Sequence, residues 1–282
     1  MSDSDSLVSA DWLAAHLHDA DVIVLDASAY LPNEDKDAHA LYRQTHVPGA
    51  RFFDIEAFSD PETDLPHMVP SPGRFARLAG ELGLRNDARI VVYDQKGLFS
   101  AARAWWLFKL FGHARVAVLD GGLPAWVAAG QATEAGESAP PPTNFSVAFR
   151  PALLRGLGDV RANLDTRREL VLDARGAPRF TGEAADLRPG IAPGHIPGSA
   201  NLPYTDLLDV DARLRPAAEL RALFTARGAD GARPVVTSCG SGLTAAILLL
   251  GLDVAGLPAG ALYDGSWAEW GGRSDVPKAL GA

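Results

Sequence analysis

Three stretches in the first half of the chain recur in the second half at nearly constant spacing, and this internal repeat restricts the fold to two copies of one unit. Val22-Ile23-Val24-Leu25-Asp26-Ala27-Ser28 is answered by Leu170-Val171-Leu172-Asp173-Ala174-Arg175. His46-Val47-Pro48-Gly49-Ala50 is answered by His195-Ile196-Pro197-Gly198-Ser199, and Leu119-Asp120-Gly121-Gly122-Leu123-Pro124-Ala125-Trp126 by Tyr263-Asp264-Gly265-Ser266-Trp267-Ala268-Glu269-Trp270. The offsets from Asp26 to Asp173, His46 to His195 and Asp120 to Asp264 are 147, 149 and 144 residues. A chain of 282 residues, 47% of them hydrophobic, has the length and apolar content for two cores. We divide it into an N-terminal domain over 1–135, a linker over 136–151 and a C-terminal domain over 152–282. The linker carries Pro140-Pro141-Pro142, which favours an extended, semi-rigid conformation.

Each half alternates short apolar runs with helical segments. Arg89-Ile90-Val91-Val92-Tyr93 is followed by a helical stretch over 101–111 and then by Arg115-Val116-Ala117-Val118-Leu119. This alternation predicts an α/β fold in which each domain is a parallel sheet with helices on both faces.

Cys239 is the only cysteine. It follows the β-branched run Pro234-Val235-Val236-Thr237-Ser238 and opens the turn Cys239-Gly240-Ser241-Gly242-Leu243-Thr244, after which an apolar helix is expected to begin at Ala245. Open α/β sheets bind ligands at such strand ends. Backbone amides of the turn and of the helix start direct partial positive charge at the sulfur, which favours the reactive thiolate. Placed without a gap on the first half, Val235-Val236-Thr237-Ser238-Cys239 falls on Val91-Val92-Tyr93-Asp94-Gln95. Gln95 is therefore expected at the cysteine position, leaving the N-terminal domain without a nucleophile.

Several functions are disfavoured. With 26 basic and 35 acidic residues the net charge is −9, which argues against nucleic acid or an anionic membrane surface as partner. No apolar run approaches the ~18 residues of a membrane span. The acidic start, Met1-Ser2-Asp3-Ser4-Asp5-Ser6, lacks the basic and apolar segments of a secretory signal, so the cytoplasm, whose reducing poise suits a free thiol, is the expected location. One cysteine and scattered histidines do not make a metal site, and no cofactor is implied. Phosphatases with a Cys-x5-Arg loop would need arginine where Ala245 stands. The spacing around Ser241 does not satisfy the G-x-S-x-G elbow of a serine nucleophile.

Cys239-Gly240-Ser241-Gly242-Leu243-Thr244-Ala245 resembles the Cys-Gly-Ser-Gly-Val-Thr-Ala loop of the tandem-domain rhodaneses, within them the 3-mercaptopyruvate sulfurtransferase subgroup, with Leu243 in place of valine. The resemblance extends over essentially the whole chain. It implies two tandem rhodanese-like domains and sulfur transfer from 3-mercaptopyruvate through a Cys239 persulfide to thioredoxin, a small thiol or cyanide, with release of pyruvate. Thiosulfate-preferring rhodaneses typically carry a basic pair after the cysteine, where this chain has the neutral Gly240 and Ser241. Thiosulfate transfer by the same mechanism, or a persulfide carrier without small-molecule turnover, are the alternative readings.

Arg179, in Ala177-Pro178-Arg179-Phe180-Thr181-Gly182, and Arg188, in Leu187-Arg188-Pro189-Gly190, fall on the two arginines with which the family binds its donor. Guanidinium groups suit the carboxylate and adjacent carbonyl of a 2-oxo acid. Arg175 is expected to be an ordinary solvated charge. The backbone amides from Gly240 through Gly242 and Leu243 to Thr244 are expected to hold the persulfide. The serine, histidine and acid proposed as a proton relay in the family correspond here to Ser241, His67 and Glu56, the last standing where relatives often have aspartate. His46 and His195 occur in both halves and are expected to be structural.

Overall fold

The structure, a computed structural model, describes residues 6–31 and 33–281; most of the acidic start, Met1 to Asp5, lies outside them. The chain divides into two units. The first comprises Met1–Pro61, Val69–Arg150 and Val210–Leu214; the second comprises Glu62–Met68, Pro151–Asp209 and Arg215–Ala282.

In the first unit β1 (Leu7–Val8), α1 (Ala10–His16), β2 (Val22–Asp26), α2 (Ala38–Gln44), β3 (Arg51–Phe52), α3 (Pro72–Glu81), β4 (Arg89–Tyr93), α4 (Ala101–Leu110), β5 (Val116–Leu119) and α5 (Gly122–Ala128) succeed one another. The strands form one sheet in the order β1-β5-β4-β2-β3, with every pair parallel. Side chains alternate across a strand. Val24, Val91, Tyr93, Ala117 and Leu119 therefore share one face, where they pack with Leu13 of α1 and Leu123 and Trp126 of α5. Ile90 and Val92 point the other way, toward the side on which α4 packs against β4 and β5. There Phe75 of α3 meets Phe108 of α4 edge to face, with centroids 5.4 Å apart.

The second unit repeats the plan with β6 (Leu154–Arg155), α6 (Leu157–Thr166), β7 (Leu170–Asp173), α7 (Ala177–Thr181), β8 (Ala200–Asn201), α8 (Ala217–Ala226), β9 (Val235–Ser238), α9 (Ala245–Val254), β10 (Ala261–Tyr263) and α10 (Ser266–Trp270). Its parallel order is β6-β10-β9-β7-β8. One face joins Val171, Val236, Ala261 and Tyr263 to Val160 of α6 and to Trp267 and Trp270 of α10. The other is covered by α9, whose residues from Ala245 to Leu252 are all buried, with α8 packed against it. Burial all round explains why α9 is apolar all round. Two parallel sheets with helices on both faces are thus present, as the alternation predicts. Among the described residues no helix is long and apolar enough to cross a membrane.

The proline-rich stretch follows the first unit as far as Arg150. Thr143 N–H donates to Gly80 O at 2.9 Å, Ala148 N–H to Phe111 O at 2.8 Å and Arg150 N–H to Leu110 O at 2.8 Å, while the Phe145 ring is buried. Gly80 permits this approach, since a Cβ there would stand 2.5 Å from Thr143 O.

Strand register corrects one alignment. Val91 pairs with Val24 and Ala117, and Val236 with Val171 and Ala261, so Val91 is the counterpart of Val236. Asp94, not Gln95, then occupies the place of Cys239. The helix that follows β5 or β10 confirms it, because Leu123 N–H donates to Asp94 O at 3.0 Å and Trp267 N–H to Cys239 O at 2.9 Å. The gapless alignment slips because the β4–α4 connection, from Asp94 to Ser100, is one residue longer than the β9–α9 connection, from Cys239 to Thr244.

Candidate active site

Cys239 emerges from the C-terminal end of β9 with its side chain 1% exposed, and its Sγ accepts the Gly242 N–H at 3.1 Å. Gly242 makes this turn possible, since its φ of +81° lies in the left-handed region that a β-carbon disfavours. The rest of the loop is pinned by α10. Trp267 N–H and Ala268 N–H donate to the carbonyls of Cys239 and Gly240, both at 2.9 Å. Ser266 Oγ accepts the Cys239 N–H at 3.2 Å and donates to Tyr263 O at 2.8 Å. Ser266 has a φ of +48°, where its counterpart Gly122 has +55°. The second unit thus holds a serine in a conformation the first leaves to glycine, and the serine's hydroxyl fixes the cysteine backbone.

The equivalent loop of the first unit holds a carboxylate. Asp94 Oδ2 accepts the N–H groups of Phe99, Ser100 and Ala101 at 2.7, 2.9 and 2.9 Å, and Oδ1 accepts Lys96 N–H at 2.9 Å. A carboxylate therefore fills a ring of amides at the start of α4. Counted back from the helix start, the same amides in the second unit belong to Leu243, Thr244 and Ala245. Leu243 is buried, and Thr244 directly precedes α9. Gln95 lies one residue beyond, its Nε2 donating to Asp26 Oδ2 at 3.2 Å and Thr45 O at 3.1 Å.

Arg179 and Arg188 converge on Gly240. A Cβ at Gly240 would stand 3.2 Å from Arg179 Nη2 and 3.6 Å from Arg188 Nη1. Arg179 is the third residue of α7 and Arg188 lies in the loop after it. Asp186 couples the two: its Oδ2 accepts Arg179 Nη2 at 2.5 Å and its Oδ1 accepts the Arg188 N–H at 3.0 Å. The Asp186 side chain is 3% exposed, and Arg179 Nε is buried with no hydrogen-bond partner among the described residues. Two cationic forks thus face the residue after the cysteine, one of them with an unused donor.

Ser241 and His67 are also brought together. His67 Nδ1 lies 3.0 Å from Ser241 Oγ and 3.2 Å from Ser241 O, and its φ of +60° is unusual for a residue with a side chain. Segment Glu62–Met68 belongs to the second unit, although its neighbours on both sides belong to the first. Glu56 belongs to the first unit, where it is exposed and lines a 310 Å³ cavity with Ser28, Tyr30, Lys36 and His39. Among the described residues no group of three or more His, Cys, Asp or Glu side chains is gathered to hold a metal ion.

Residues 9–129 and 157–273 each match the rhodanese-like domain. The chain belongs to the rhodanese family. Among similar proteins, the 3-mercaptopyruvate sulfurtransferase of Escherichia coli strain K12 is 43% identical over 271 residues, covering 96% of each chain. Thiosulfate/3-mercaptopyruvate sulfurtransferase 1, mitochondrial, of Arabidopsis thaliana is 40% identical, covering 98% of this chain and 79% of its own. The crystal structure of SseA from Escherichia coli, described as a rhodanese fold of the 3-mercaptopyruvate sulfotransferases, superposes with a TM-score of 0.85 at 42% identity, covering 93% of this chain and 98% of the other.

Within this rhodanese, Arg175 departs from expectation. It is buried, its Nη2 donates to Asp173 Oδ2 at 2.7 Å and to Gly194 O at 2.8 Å, and its guanidinium lies 4.5 Å from the Trp267 ring centroid. The charge is retained in the interior because a buried carboxylate stands two residues away. His46 and His195 play matching structural parts in the two rhodanese domains: Nδ1 bonds Tyr42 O at 2.8 Å and Phe180 O at 2.9 Å, and each ring stacks on the aromatic residue whose carbonyl it meets. Sequence reasoning missed Asp186, Ser266 and Asp94. The spacing of Asp186 between two arginines, and a serine answering Gly122 in the repeat, were the available signals.

Proposed function

We propose that this rhodanese transfers sulfur from 3-mercaptopyruvate through a persulfide on Cys239 to a thiol or to cyanide, and releases pyruvate. The observation that carries the reading is the convergence of Arg179 and Arg188 on Gly240, next to the lone cysteine. Their forks suit the carboxylate and 2-oxo group of the donor. The Cys239 thiolate attacks the donor sulfur, the carbon–sulfur bond breaks, and its electron pair passes into the enolate of pyruvate. The proton of the donor thiol goes to the enolate carbon, and the Ser241–His67 pair is the route we assign to it. The outer sulfur stays as an anion among the loop amides, in the role that the Asp94 carboxylate has in the first unit. An acceptor thiolate then takes that sulfur and Cys239 leaves as thiolate, so the kinetics are ping-pong.

The N-terminal domain is catalytically silent in this scheme, because Asp94 stands where the nucleophile would be. The acceptor we propose is thioredoxin or a small thiol, in the cytoplasm, where a reducing environment keeps Cys239 competent. Thiosulfate is the second donor to consider, since the Arabidopsis thaliana relative is named for both.

Sulfur transfer to cyanide from 3-mercaptopyruvate and from thiosulfate, in wild type and Cys239→Ser, tests the proposal. A preference for 3-mercaptopyruvate, with activity lost by about a thousandfold or more in the variant, is the expected result. Preference for thiosulfate would reassign the donor. Turnover of neither would leave a persulfide carrier.

A further inference from the structure

Asp186 does more at this site than connect two arginines. Resting on the donor-site reading of Arg179 and Arg188, we propose that Asp186 is a positioning and specificity-determining residue: it leaves the site one net positive charge and so selects a monoanionic donor over a dianionic one.

The carboxylate lies behind the arginines, 3% exposed, with one oxygen on the Arg179 guanidinium and the other on the Arg188 backbone N–H. It therefore orients both residues at once, holding Arg179 by its side chain and Arg188 by its main chain. Among the described residues the Arg188 guanidinium has no ion-pair partner, and its Nη1 stands over Gly240. The arrangement divides the labour between the two arginines. Arg179 is neutralised and fixed, and its Nη1 and Nη2, 3.9 and 3.2 Å from where a Gly240 Cβ would stand, are placed to donate to a neutral oxygen such as the 2-oxo carbonyl. Arg188 retains its full charge for a carboxylate.

Two guanidiniums and one carboxylate leave the arginine cluster a single positive charge, counted apart from the Cys239 thiolate, which the loop amides hold. 3-Mercaptopyruvate carries one negative charge at neutral pH, whereas thiosulfate carries two. A dianion in a site of net charge one is undercompensated, and each unmatched charge is costly where water is partly excluded. The neutral Gly240 and Ser241 add nothing to correct this. Donor choice then depends on the acidic partner of an arginine as well as on the cysteine loop.

The test is Asp186→Asn and Asp186→Glu in the full chain. For each, kcat and KM are measured with 3-mercaptopyruvate and thiosulfate, and dissociation constants for pyruvate, a monoanion, and sulfate, a dianion, by calorimetry. Asp186→Asn raises the net charge by one. It should move the ratio of kcat/KM values toward thiosulfate by about tenfold, and the pyruvate-to-sulfate affinity ratio in the same direction, because a dianion gains twice the Coulomb energy of a monoanion. Asp186→Glu keeps the charge but moves the carboxylate. It should raise the KM for 3-mercaptopyruvate while leaving the donor ratio within about twofold of wild type, since charge and not position sets that ratio. Asp186→Ser makes the same charge change as the amide and carries the test if Asp186→Asn does not fold.

Equal losses toward both donors in Asp186→Asn would overturn the proposal, since a purely structural residue behaves that way. So would an Asp186→Glu variant whose donor ratio shifts as far as that of the asparagine variant. If the wild type turns over neither donor, it is the reaction assigned above that fails. The pyruvate-to-sulfate ratio still decides the charge matching, with a shift in Asp186→Asn supporting it and an unchanged ratio overturning it.

Discussion

The absence of a side chain at Gly240 makes the proposed donor site testable. A Cβ there meets Arg179 Nη2 at 3.2 Å and Arg188 Nη1 at 3.6 Å, and both are ends of flexible side chains that give way easily. Gly240→Ala should therefore fold with little change in melting temperature. It should raise the KM for 3-mercaptopyruvate about tenfold, because displacement of positioning groups by a fraction of an ångström is felt directly in donor binding. An unchanged KM would remove the two arginines from the donor site. The residue scale also shows what composition hides: of three arginines in one short stretch, Arg175 is part of the core, Arg179 is clamped by an acid, and only Arg188 has a guanidinium without an ion-pair partner among the described residues.

The strand-to-helix connection is the element on which the two halves diverged. In the first unit the Asp94 carboxylate satisfies three N–H groups at the start of α4 and a fourth in the loop. Asp94→Ala leaves those buried donors unpaired and should destabilise the first unit by about 2–3 kcal/mol, measured by chemical denaturation. The neighbouring strand β2 ends in Asp26, the counterpart of Asp173. Asp173 is paired with Arg175, but the repeat places Ser28 opposite Arg175, so Asp26 has no cationic partner among the described residues and burial pushes its carboxyl above the ordinary Asp range. A carboxyl whose folded pKa exceeds its unfolded pKa contributes stability that is present below the unfolded pKa and lost as pH rises through the folded one. Melting temperature across mildly acidic to neutral pH should thus fall with rising pH on account of Asp26. Asp26→Asn should flatten that part of the profile and be no less stable than wild type at neutral pH, provided the Gln95 amide turns its oxygen to the new donor. A variant markedly less stable at neutral pH would show that the ionised carboxylate is stabilising as it stands.

Over the whole molecule, duplication left two loops of one design and a single cysteine. Treatment with 3-mercaptopyruvate in the absence of an acceptor should add one sulfur atom per chain by intact mass spectrometry, and none to Cys239→Ser. Two added sulfurs would mean that a site outside the β9–α9 loop accepts sulfur. The first unit is informative because its loop amides hold the Asp94 carboxylate, an anion that belongs to the chain itself.

The duplication, the α/β class, the position of Cys239 at a strand end and the helix that follows it are legible in the amino-acid order, because these rest on local pattern: β-branched runs, glycine turns and a repeat of nearly constant offset. The same order also named Arg179, Arg188, Ser241 and His67, whose grouping depends on matching motifs and not on any periodicity. Tertiary structure alone decided that Asp94 rather than Gln95 answers Cys239, since a one-residue difference in loop length is invisible in a gapless alignment and appears only in which strands pair. It decided as well that Arg175 is buried and that Asp186 joins the two arginines. Those are matters of which charges the fold brings together, and Coulomb interactions between side chains depend on separation in space, to which distance along the chain is only a weak guide.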